Sequence, residues 1–175
     1  VNVTNVVSAD QIGKFPDDNV GDVIKRIAGV SMQGDLGEAR NIVMRGLGPG
    51  QNSVTLNGDR IPSAEGDNRN VQLDLIPSAM IQSIEVNKTL TPDMEADAIG
   101  GSVNLITRSN PTGFRASATV AGGGNPIRPG GYNSNITALI GNEVSEKFSY
   151  TLSATVQTRD YGSDNIEFEW NDPAD

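Results

Sequence analysis

The sequence has no cysteine and no histidine among its 175 residues. The first absence removes disulfides, thiolate metal sites and a cysteine nucleophile. The second removes a Ser-His-Asp relay, histidine-ligated zinc and an imidazole base. Aromatic residues make up only 5% of the chain, and no stretch reaches the roughly 20 apolar residues that a transmembrane helix requires. Basic residues are outnumbered, 13 Lys and Arg against 22 Asp and Glu, and the resulting net charge of −9 argues against a nucleic-acid partner. Val1 is neither an initiator methionine nor the start of a cleavable signal, so the amino end reads as trimmed. A chain of this length with 36% hydrophobic residues can bury a modest core, as one domain or one domain plus part of a second.

What is present changes character near Ser109-Asn-Pro-Thr-Gly113, a turn-rich breaker. Charge does not distinguish the two sides, but pattern does. Before the breaker, Val20, Val23, Ile24 and Ile27 recur at helical spacing, with Asp17 or Asp18 as cap and Gly29 as stop. Asn41-Ile-Val-Met-Arg45 and Ser53-Val-Thr-Leu-Asn57 read as short strands, and Asn57-Gly58 is a hairpin-type turn pair. Residues 75–81, opened by Asp74, form a weaker helical segment interrupted by Pro77. Ile81, Ile84 and Val86 mark a β-rich stretch with imperfect alternation, and residues 102–107 a further strand. Interspersed short helices and strands place this part in the α+β or α/β class.

After the breaker the period is two. Phe148, Tyr150, Leu152, Ala154 and Val156 occupy one face, and Ser149, Thr151, Ser153, Thr155, Gln157 and Arg159 the other. Residues 132–140 and 114–120 repeat the pattern. Gly122-Gly-Gly124 and Pro129-Gly-Gly131 are assigned to a longer first connector, and Gly141-Asn-Glu-Val-Ser145 to a shorter second one. Such asymmetry is expected of outer-membrane barrels. Alternation by itself is more often a soluble meander with one wet face, so at this level both readings stand.

Motifs for chemistry are weak. Arg45-Gly-Leu-Gly-Pro-Gly50 lacks the Gly-Lys-Ser/Thr of a phosphate loop, and Pro49 removes one amide from any phosphate cradle. Asp93-Met-Glu95-Ala-Asp97 spaces oxygens as a calcium loop does, but Ala98 stands at the position that needs glycine and Asn104 at the one that needs glutamate. No Ser-x-x-Lys or Gly-x-Ser-x-Gly motif occurs, and Asp17 and Asp18 read as helix caps before they read as a glycosidase pair. The chain is not expected to be an enzyme, and neither a cofactor nor a metal is expected. Arg45 closes a short apolar strand directly before a glycine loop, where its guanidinium can serve a ligand or a structural ion pair.

Six segments taken together resemble the plug domain of TonB-dependent outer-membrane receptors. Val6-Val-Ser-Ala-Asp-Gln-Ile12 is similar to the opening strand and turn, and Val20-Gly-Asp-Val-Ile-Lys-Arg-Ile-Ala-Gly-Val30 to the helix leading into Pro-Gly-Val, with Ala28 in place of proline. Ile42-Val-Met-Arg-Gly-Leu47 resembles the Ile-Arg-Gly strand, and Val54-Thr-Leu-Asn-Gly-Asp-Arg-Ile61 the strand ending in Asp-Gly, with Asn57 for aspartate. Ile81-Gln-Ser-Ile-Glu-Val86 and Ala98-Ile-Gly-Gly-Ser-Val-Asn-Leu-Ile-Thr-Arg108 resemble the two closing blocks. Where the family commonly continues with Arg-Gly-Pro and Leu-Tyr-Gly, this chain has Lys88-Thr-Leu-Thr-Pro-Asp-Met-Glu-Ala-Asp97, which resembles a subgroup linked to carbohydrate uptake. Lys88 is then the nearest stand-in for the usual arginine contact to the barrel wall.

The resemblance implies an α+β plug domain, a small mixed β-sheet with short helices, over residues 1–112. Antiparallel strands from the start of a transmembrane β-barrel follow over 113–175, within a barrel of about 22 strands. Even-numbered positions of these strands then face lipid and odd-numbered ones the lumen. An open edge does not persist in lipid, so the chain is expected to be part of a larger protein. Residues 161–175, acidic and carrying Trp170, read as the beginning of an outer loop and the next strand.

The implied function is occlusion of the barrel together with binding and energised uptake of a scarce nutrient, a siderophore, carbohydrate or similar molecule. The implied location is the outer membrane of a Gram-negative bacterium. The implied partners are TonB through a segment before Val1, the protein's own barrel, outer-membrane lipid around it, a small nutrient ligand, and a surface lipoprotein as candidate accessory. Ligand contact is expected on the upward-facing loops, at Arg45, Gly48, Gln51, Asn52, Asn68 and Arg69. The alternative from another class is a self-standing soluble binding or adhesion module of α+β fold with no transport role.

Overall fold

The computed structural model describes residues 4–8, 19–35, 37–92, 94–96, 98–108, 112–124, 126, 131–160 and 166. The expected caps Asp17 and Asp18, residues 9–12 of the opening block, the breaker at 109–111, the Pro129-Gly130 pair and Trp170 lie outside the described residues.

A five-stranded mixed sheet organises the amino-terminal unit. Its strands are β1 (Thr4–Ser8), β4 (Asn52–Leu56), β5 (Asp59–Arg60), β6 (Ile81–Asn87) and β7 (Gly101–Thr107), in the spatial order β1-β6-β7-β4-β5. β7 lies in the middle, antiparallel to β6 and parallel to β4. Val103 and Leu105 of β7 are fully buried and alternate with half-buried Ser102 and Asn104, as a strand covered on one face requires. The imperfect alternation of Ile81, Ile84 and Val86 has a structural cause. A register shift between Ile81 and Ser83 adds one residue to β6, and this resets the phase so that all three side chains are buried.

Against this sheet pack a short helix α1 (Val20–Ile24) and a separate antiparallel pair, β2 (Val30–Asp35) and β3 (Glu38–Met44). Val20, Val23, Ile24, Val30, Ile42, Met44 and Leu73 complete one core with the sheet residues. α1 stops at Ile24, earlier than the periodicity through Ile27 predicts. From there Arg26 and Ile27 bond three residues back, to Val23 and Ile24, and the chain tightens into turns up to Gly29 at φ +77°. The cap is Asn19, whose side-chain oxygen accepts the Asp22 N–H at 2.8 Å. We expect Asn19→Ala to lower the unfolding free energy by about 1 kcal/mol, read from the denaturant midpoint. No change would mean that packing alone holds the helix.

Residues 75–81 are not one helical segment. Two 3-10 turns, Leu73–Leu75 and Ser78–Met80, flank Pro77, which breaks the run as its ring demands. Asn57-Gly58 forms the expected two-residue hairpin turn between β4 and β5. Both residues have positive φ, +53° and +92°, and the Asn57 amide anchors the turn to Thr107 of β7.

The second unit is a three-stranded antiparallel sheet of β8 (Arg115–Gly124), β9 (Tyr132–Ser145) and β10 (Phe148–Thr158), with β9 in the middle. Two connector assignments need correction. Gly122 to Gly124 belong to β8 and pair with Ser134 to Tyr132, and Gly141 to Ser145 belong to β9. The true second connector is Glu146-Lys147. Both segments lack the apolar alternation by which a strand was recognised, yet the backbone ladder runs through them.

Candidate functional site

The sheet β8–β10 carries its apolar side chains on the outside. Leu152 is 67% exposed and Val156 66%, and Phe114, Val120, Tyr132, Ile136, Ile140, Val144 and Phe148 are exposed as well, all at even positions. Odd-numbered Asn133, Asn135, Thr137, Ser153, Thr155, Gln157 and Arg159 are half-buried. A soluble sheet has the opposite bias. In β9 and β10 the polar face is the more covered one, whereas β8 is exposed on both faces, and an ion pair ties the sheet to the amino-terminal unit, with Arg159 Nη1 3.1 Å from Glu38 Oε1.

Glu38 opens β3 at the tip of the β2–β3 hairpin. The next cation along β3, Arg40, faces three carboxylates: Asp35 at 3.0 Å, Glu65 in a close pair, and Asp74 at 3.9 Å. The Glu65 pair raises the Arg40 guanidinium above its ordinary value. The Glu65 carboxyl is held below its own ordinary value, first by the Asn68 amide and next by Arg40. Asn68 in turn accepts the Ser63 hydroxyl at 3.2 Å and the Asn70 N–H at 2.9 Å. Beside this loop an open depression of about 290 Å³ is lined by Arg60, Ile61, Pro62, Ser63, Asn68 and Arg69. A second depression, of about 130 Å³, sits on the β8–β10 sheet between Gly123, Asn135, Gln157 and Arg159.

Of the expected ligand residues, the structure brings two groups toward each other. Gly48, just before the 3-10 turn Pro49–Gln51, and Gln51 within it are exposed, and a methyl group on Gly50 would lie 3.6 Å from Asn70 Oδ1, next to Asn68 and exposed Arg69. Asn52 serves inside the loop. Its amide nitrogen donates to the carbonyls of Ile42, Leu47 and Gly48, and so folds the 45–51 segment back along β3. Arg45 stands apart, beyond the end of β3 away from the hairpin tip. At φ +53° it turns its guanidinium onto the backbone, Nε to Gly100 O at 3.0 Å and Nη2 to Ile99 O at 2.7 Å. Glu95 is tied to Ser53 at 2.9 Å and to Arg60 at 3.3 Å, whereas Asp93 and Asp97 lie outside the described residues. Lys88 lies over Gly29, where an added methyl would meet its ammonium at 3.7 Å.

A sequence model described as the TonB-dependent receptor plug domain matches residues 1–102. The chain belongs to that family. Among solved structures it is similar to the siderophore receptor PirA from Pseudomonas aeruginosa, with TM-score 0.71 and 21% identity over 90% of this chain and 28% of that one. It is similar to the ferric citrate transporter FecA in its unliganded form, with TM-score 0.71 and 22% identity over 89% of this chain and 25% of that one. A ferric enterobactin receptor variant from Pseudomonas aeruginosa, in complex with enterobactin, gives TM-score 0.70 and 18% identity over 91% and 25% of the two chains. The chain therefore spans about a quarter of the length of the structures it matches. Its fold is the expected one, a mixed-sheet plug domain followed by antiparallel strands.

Proposed function

We propose that this chain is the plug and the first wall strands of a TonB-dependent transporter in the outer membrane of a Gram-negative bacterium. The plug occupies residues 1–112 and the wall begins at 113. It closes the barrel at rest, helps bind a scarce nutrient, and yields a path when TonB pulls on its amino-terminal side. The observation that carries this reading is the inverted pair β9–β10, with apolar side chains exposed and polar ones half-buried, and Arg159 joined to Glu38 across the boundary; in a barrel wall the apolar face would meet lipid. A soluble module gains nothing from that arrangement.

The test is uptake by the full-length receptor in cells with and without TonB, using radiolabelled ferric citrate, ferric enterobactin and a panel of oligosaccharides. Uptake of one probe that stops without TonB is the expected result. TonB-independent uptake, or a protein recovered only from the soluble fraction, would sink the proposal. The ligand surface is placed on Gly48, Gln51, Asn52, Asn68 and Arg69, with Arg45 shaping it through the 99–100 backbone. Arg69→Ala is expected to weaken binding of the transported probe about tenfold, the loss of one charge-assisted hydrogen bond, as read by titration calorimetry. Arg45→Ala is expected to weaken it as well, and unchanged affinity would leave Arg45 a purely structural role.

A further inference from the structure

We propose that the β2–β3 hairpin is a bracket between the barrel wall and the loop over residues 63–70, with Arg40 as the residue that positions this loop. Two sets of contacts meet within the first three residues of β3. Glu38 holds the wall through Arg159, the residue that follows β10 and lies 121 residues away in sequence, and both side chains are largely covered, at 29% and 15% exposure. Arg40, two residues on and at the register shift where β3 carries one residue more than β2, holds Glu65. A force on the wall strand or on the loop is therefore borne by the same short stretch of backbone.

Single exposed ion pairs contribute little, so one contact would not support a role for Arg40. Its case rests on convergence. One guanidinium serves carboxylates from three places in the chain: Asp35 on β2, Glu65 in the loop and Asp74 in the turn behind it. The planar fork of arginine can engage several at once, which an ammonium cannot match. Glu65 is itself the root of the loop's internal bonding. It accepts from Asn68, whose oxygen takes the Ser63 hydroxyl and the Asn70 N–H. The Ser63 hydroxyl accepts the Glu65 N–H at 3.1 Å and the Gln72 amide at 3.2 Å, while the Gln72 oxygen accepts the Ala64 N–H at 3.0 Å. The loop has no regular secondary structure from Ile61 to Gln72, so these side-chain bonds define its shape. Asn68 and Arg69, the residues placed on the ligand, ride on it. This last consequence rests on the ligand reading given above; the bracket itself does not.

The readout is amide hydrogen exchange in the full-length receptor in lipid nanodiscs, without ligand, at the amides of Ala64, Glu65 and Asn70. Arg40→Gln is expected to speed their exchange about tenfold, with core amides of β7 unchanged. Arg40→Lys should restore only part of the protection. The pH profile separates positioning from a general loss of stability. Around Glu65 stand Arg40 from β3, Asn68 and Gln72 from the loop side, and Asp35 and Asp74 across the guanidinium. Because the folded Glu65 value is lowered from its ordinary 4.5, its contribution is present above that value and is lost as pH falls through the lowered one. Protection of the three amides, corrected for intrinsic exchange, should fall in that window in the native protein and show no such step in Glu65→Gln. If Arg40→Gln fails to fold, Glu65→Gln carries the same test. Unchanged exchange in both variants, or loss that spreads equally to β7, overturns the bracket. Faster loop exchange with unchanged probe affinity upholds the bracket and instead removes the loop from the ligand surface.

Discussion

Leu152→Arg is expected to destabilise the full-length protein in a bilayer by about 2–4 kcal/mol, while Ser153→Arg one residue later costs far less. Leu152 sits in the middle of β10, paired with Ile140 and 67% exposed on the apolar face. In lipid a guanidinium there has no water and no partner. Ser153 lies on the half-buried polar side, where the lumen of the proposed barrel would supply both. Reversible unfolding in lipid vesicles measures the difference. Were the chain a soluble module instead, the ordering would reverse. Leu152→Arg would then lie within about 0.5 kcal/mol of the native protein and raise its solubility, because an exposed apolar residue in water has little to lose.

The second large effect lies in the plug core. Leu105→Ala should cost about 2–5 kcal/mol, the range for emptying a fully buried leucine site whose surroundings relax only in part. Leu105 faces Ile84 on one side and Leu56 on the other, in the strand that holds both halves of the sheet. The measurement is the plug's own unfolding transition in the full-length receptor, followed by denaturant titration. A loss below about 0.5 kcal/mol would mean that the sheet is not closed over this side chain.

Legibility in the sequence followed the physics of each element. β10 was readable because one wet and one apolar face impose strict alternation, and Asn57-Gly58 because a two-residue turn demands positive φ twice. β2 was missed. Only Val30 of its six residues is buried, so it has no period, and its strand character comes from pairing with β3. The far ends of β8 and β9 were taken for connectors for the same reason. α1 was legible but its cap was misplaced, since Asp17, Asp18 and Asn19 are all cap-competent by type and only the helix start selects Asn19. Gly21 also hides its role. A side chain there would overlap the Ala39 carbonyl, which fixes how closely α1 lies on β3, and nothing local in the sequence announces that contact. That residues 63–70 form a loop was readable from their polar, turn-rich composition. Arg40 was not, because its partners lie 5, 25 and 34 residues away and local pattern does not encode which carboxylate meets which cation.

The pairing of β1 with β6 sets an order of events in folding. Thr4 lies opposite Asn87, and the two side chains meet although they are 83 positions apart in the sequence. Closing so long a loop is slow and entropically costly, whereas β6 and β7 are close neighbours in sequence and can find each other early. β1 therefore waits for its place until β6 is formed, later than pairings between close sequence neighbours. Through that interval β1 is an open strand with hydrogen-bonding groups to offer, which makes it the part of the sheet most exposed to wrong pairing.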